Sequence, residues 1–74
     1  MSIKNVNHLT PRMTDVLKGI ALGKTTYAIA YDLKISMRTV EHYRQSIMNF
    51  TRIRSVAELT HYALAKGFVK NIYL

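Results

Sequence analysis

The segment TYAIAYDLKISMRTVEHYRQSIMNF, residues 26–50, decides how the chain is read. It holds two helical patterns separated by a very short connection. In the first, about Thr26 to Leu33, Ile29, Ala30 and Leu33 fall on one side. Thr25 or Thr26 can cap its start, and Tyr27 and Tyr31 fall at its rim or surface. Lys34 and Ile35 form the connection, and Ser36 is the N-cap candidate for the second pattern, about Met37 to Phe50. There the inner stripe is Val40, Tyr43, Ile47 and Phe50, with Arg44 flanking it. The outer face is Met37, Arg38, Glu41, His42, Gln45 and Asn49, which is polar, rich in hydrogen-bonding groups and mostly not carboxylate. Small Ala30 suits a close crossing of the two helices.

Working outward, a helix begins before this pair at Thr10-Pro11, an N-cap followed by a proline at N1. Met13, Val16, Leu17, Ile20 and Ala21 then repeat at i, i+3, i+4, i+7 and i+8, one face of a helix. Gly19 interrupts it at a cost of up to ~1 kcal/mol relative to alanine. Gly23 suits the residue just past the helix end. After the pair, Ser55 and Glu58 have the spacing of a capping box, each expected to satisfy the other's backbone N–H. That helix carries Val56, Leu59, Ala63 and Leu64, with Tyr62 alongside, and ends at Gly67. Residues 1–8 read as a loose arm and residues 70–74 as an apolar tail, leaving one all-α domain of four helices over 9–69.

Charge points to a polyanionic partner. Eleven Lys and Arg face four Asp and Glu, net +7 over 74 residues. Residues 34–54 hold Lys34, Arg38, Arg44, Arg52 and Arg54 against Glu41 alone, net +4, while the remaining residues carry six positive and three negative charges. A helix with a polar, basic outer face, set on a second helix by a short turn, matches the width of the DNA major groove and can offer donors and acceptors to base edges.

Other chemistry finds little support. Asp15, Asp32, Glu41 and Glu58 are scattered and suggest no carboxylate pair. His8, His42 and His61 lack ligand spacing, and the absence of cysteine excludes disulfides and Cys-based zinc sites. No enzyme activity, cofactor or metal is expected. The apolar runs are too short for a membrane span, and Met1 to Val6 does not read as a signal peptide, so the expected location is the cytoplasm. The starting methionine and short arm read as a complete short chain.

From Leu9 to Val69 the chain resembles the LuxR/GerE-type helix-turn-helix domain. The landmarks, in order and without a gap, are L-T-P-R at Leu9 to Arg12, Val16-Leu17, Gly23, Ile29-Ala30, Leu33, Ile35-Ser36, Thr39-Val40, Arg44, Ile47, Arg54-Ser55, Ala57 to Leu59, Tyr62 to Leu64, and Gly67. The resemblance implies a bacterial transcription regulator in the cytoplasm or nucleoid, with a recognition helix at about 37–50 and a dimerisation helix at about 55–66. It assigns base reading to Glu41, His42 and Gln45. It assigns backbone or flanking contacts to Lys24, Thr25, Thr26, Tyr27, Met37, Arg38, Thr39, Arg44 and Asn49. It implies pairing through Val56, Leu59, Thr60, Ala63 and Leu64. The implied partners are double-stranded DNA, a second copy or a related regulator, and RNA polymerase. The chain departs from the family's usual pattern at Glu41, where a basic residue is common, and at Lys34, where glycine is common. A second reading keeps the fold but makes the chain an interaction protein that pairs through the fourth helix with a larger relative and modulates or blocks it.

Overall fold

The expected N-terminal caps form at every helix. A computed structural model describes residues 9–70 and contains α1 (Pro11–Ala21), α2 (Thr26–Leu33), α3 (Met37–Thr51) and α4 (Val56–Ala65), with no strand among the described residues. The arm over 1–8 and the last four tail residues lie outside the described residues. Thr10, Thr25, Ser36 and Ser55 sit in extended backbone, and their side-chain oxygens accept from the N–H of Met13, Ala28, Thr39 and Glu58 respectively. Each satisfies one of the backbone donors that a helix start leaves orphaned. The capping box expected at α4 is only half made. Glu58 N–H donates to Ser55 Oγ at 3.3 Å, but no reciprocal bond runs from Ser55 N–H to the Glu58 carboxylate.

The helix ends explain the short connections. After α1, Gly23 N–H donates to Ile20 O and Lys24 N–H to Gly19 O, both at 3.0 Å, with Gly23 at φ +80°. This is the Schellman arrangement, in which the left-handed residue turns the chain sharply and satisfies the last carbonyls. The same pair of bonds closes α2, from Lys34 N–H to Tyr31 O and from Ile35 N–H to Ala30 O. Here the left-handed residue is Lys34, at φ 58° and ψ 44°. A residue with a Cβ holds that conformation at a cost of about 1–2 kcal/mol. Lys34 thus makes the sharp turn that sets α3 against α2 without glycine's help. Arg52 takes the equivalent left-handed position after α3, at φ 63°.

Packing is organised around α1, which touches each of the other three helices, while α2 packs on α3. The core is Met13, Val16, Leu17, Ile20, Ile29, Ala30, Val40, Ile47, Leu59 and Ala63, with no buried charged or polar side chain among the described residues. The apolar periods read from α1, α2 and α3 all point into it. Gly19 has a role that helix propensity does not reveal. A Cβ there would lie 2.7 Å from Ile29 Cγ1, inside contact distance of a side chain that is itself buried. Alanine would recover ~1 kcal/mol of propensity and collide with α2. Glycine at position 19 therefore lets α1 approach α2 closely at Ile29.

Candidate nucleic-acid interface

The polar face of α3 is free of the protein's own packing. Arg38, Glu41, His42, Gln45 and Asn49 are exposed, and Met37 at the start of the helix is 50% exposed. Val40 and Ile47, on the opposite side, are fully buried. Two buried anchors on one side and a continuous polar stripe on the other give a helix held firmly by its back. Ser36 and Thr39 join their hydroxyls at 2.9 Å next to the cap, which orders the first turn.

The exposed side chains are not equally available. Gln45 Nε2 donates to Asn49 Oδ1 at 3.3 Å along the helix, an exposed and readily exchanged bond. His42 meets only the edge of Tyr43, with ring centroids 6.2 Å apart. Glu41 is more committed. Its Oε2 accepts from Thr26 Oγ1 at 2.6 Å, and its Oε1 lies 3.5 Å from Arg44 Nε. One carboxylate thus spans from the first turn of α2 to the flank of α3.

The start of α2 borders the same surface. Thr25 is used as the cap of Ala28, Thr26 is bonded to Glu41, and the Lys24 ammonium donates to Asp32. Tyr27 is exposed and stacks on Tyr31, with centroids 6.5 Å apart and planes 23° from parallel. The tyrosines that periodicity places at either rim or surface are therefore on the surface, 65% and 75% exposed. Lys24, Thr25, Thr26 and Tyr27 lie together at the start of α2, and Glu41 joins Thr26 to α3. The Thr26–Glu41–Arg44 bridge has no signature in the sequence, because positions 26 and 41 lie on different helices and no local spacing marks them.

The residues expected at a pairing surface are divided between core and surface. Leu59 and Ala63 are 0% exposed and belong to the chain's own core. The helix that packs on α4 is α1. Of the five residues expected at a dimer contact, Val56 is exposed and Thr60 and Leu64 are half-buried, with Thr60 Oγ1 bonded to Val56 O. Accessible apolar surface on α4 is found at Val56 and in a shallow groove lined by Ile53, Ala57, Glu58, His61, Tyr62 and Ala65. No helix among the described residues is long and apolar enough to cross a membrane, and no group of three His, Asp or Glu among them could hold a metal ion.

Sequence comparisons agree with this geometry. The family described as "Bacterial regulatory proteins, luxR family" matches residues 7–63. The transcriptional regulatory protein FixJ of Rhizobium meliloti (strain 1021) is 42% identical over 60 residues, covering 81% of this chain and 29% of that protein. FixJ of Azorhizobium caulinodans is 41% identical over 64 residues, 86% of this chain and 30% of the relative. The response regulatory protein YgeK of Escherichia coli (strain K12) is 43% identical over 61 residues, 82% of this chain and 42% of the relative. The chain therefore spans well under half the length of these relatives. No solved structure matches it. The match begins ahead of α1, runs into α4 and includes the turn and the outward-facing third helix, so the chain belongs to the luxR family of bacterial regulatory proteins and carries its helix-turn-helix domain.

Proposed function

We propose that the protein regulates transcription by binding double-stranded DNA in a sequence-dependent way, with α3 lying in the major groove. The observation that carries this reading is the exposed polar stripe of α3, held from behind by Val40 and Ile47. His42 and Gln45 are the base readers, since their ring nitrogens and amide can meet base edges. Arg38, Thr39, Asn49 and the residues at the start of α2 hold the phosphates and fix the register. Membership in a family of regulators supports this over any enzymatic reading. Two copies would place their α3 helices in successive major grooves. The outer groove of α4, mainly apolar and open to solvent, is the surface on which they would pair. The same groove supports a second reading, in which the partner is a longer member of the family.

The test is retention of genomic DNA fragments by the purified protein, at low and physiological salt with competitor DNA in excess. A few fragments retained at physiological salt are expected. Uniform retention that vanishes as salt rises would leave only the phosphate attraction, and the second reading would then stand.

A further inference from the structure

The bridge centred on Glu41 brings together donors that suit an anion. Thr26 is the first residue of α2, at the end of the helix where backbone N–H groups point outward and the dipole favours negative charge. The first turn of α2 contains no acidic residue of its own. The anion found there comes from α3 instead, as one Glu41 oxygen on the Thr26 hydroxyl and the other facing the Arg44 guanidinium. A hydroxyl at a helix start together with a guanidinium is also the donor set that a DNA phosphate takes. The Glu41 side chain is 58% exposed, while Thr26 and Arg44 are half-buried beside it.

We infer that Glu41 is an internal competitor for phosphate, a carboxylate that occupies Thr26 and Arg44 in the free protein and must give them up when a DNA backbone arrives. Glu41 then sets the affinity of the domain without reading a base. This inference rests on the DNA-binding reading above. Each chain holds one negative charge at the contact surface and keeps two donors occupied, so binding is weaker and less dependent on salt than it would be without the Glu41 carboxylate.

Glu41→Gln keeps the size and an acceptor for Thr26 while removing the charge. Its binding, with that of Glu41→Ala, is measured by titration against a retained fragment and an unrelated duplex across a salt series. Both variants are expected to bind both duplexes roughly three- to tenfold more tightly per chain at low salt. The plot of log affinity against log salt should steepen by about one. Unchanged affinity would overturn the inference. So would weaker binding by Glu41→Ala alone, which would make the carboxylate only a brace between α2 and α3. Loss of preference at a single base pair would also overturn it and make Glu41 a reader. Failure of the unmodified protein to bind either duplex at low salt would overturn the DNA-binding reading itself, and the inference with it.

Discussion

Leu59→Ala is expected to destabilise the folded domain by about 2–5 kcal/mol, the range for removing a fully buried leucine and leaving a partly collapsed cavity. The residue is 0% exposed and lies on the stripe of α4 that meets α1. A chain of 74 residues has a total stability of roughly 4–11 kcal/mol, so this single change removes a large share of it. The melting temperature should fall by at least about 10 °C. The fall should be the same at every protein concentration, because Leu59 packs against helices of its own chain. An interface residue behaves differently, since its truncation weakens association and makes the melting temperature depend on concentration. Thermal melts over a hundredfold range of concentration separate the two. Near-native melting combined with loss of a dimer would return Leu59 to a pairing surface.

The second large effect belongs to Gln45→Ala. The side chain is exposed midway along the polar stripe of α3, restrained only by its bond to Asn49. A glutamine amide can pair with adenine through N6 and N7 in the major groove, an arrangement that contributes about 1–3 kcal/mol of discrimination. The variant should therefore bind a preferred site roughly five- to 150-fold more weakly. Its affinity for DNA altered at one particular base pair should match that of the unmodified protein, since neither can make the pairing there. Titration against a set of single-base-pair variants of a retained fragment reads this directly. A uniform loss across the whole set would show that Gln45 supports binding without reading sequence.

Much of the fold is legible in the residues because it depends on local chemistry. The Thr10-Pro11 start, the caps at Thr25, Ser36 and Ser55, and the periodic apolar positions of α1 and α3 each need only a few neighbouring residues to be understood, and all are present. What is not legible depends on packing between helices. Gly19 looks like a flaw in α1 until Ile29 is seen against it. Lys34 looks wrong for a tight turn, yet it holds the left-handed conformation that the turn needs. The stripe of Leu59 and Ala63 is recognisable as apolar, but periodicity does not say what covers a stripe. In a domain this small, its own core takes the first claim on such residues, and α1 covers them. The outward position of Met37, Arg38, Glu41, His42, Gln45 and Asn49 is recognisable from the period of α3, whereas Thr39 and Arg44 are half-buried. The commitment of Glu41 to Thr26 and Arg44 is not, because it arises only when α2 and α3 cross.

The central claim is that α3 enters the major groove, and methylation protection tests it most directly. Dimethyl sulfate methylates guanine N7 in the major groove and adenine N3 in the minor groove, so one reaction on a bound, retained fragment reports on both. The account predicts shielding of guanine N7 in two patches about one helical turn, ~10 base pairs, apart, with adenine N3 left reactive. Shielding of adenine N3 alone, or backbone protection with every guanine N7 still reactive, would contradict it.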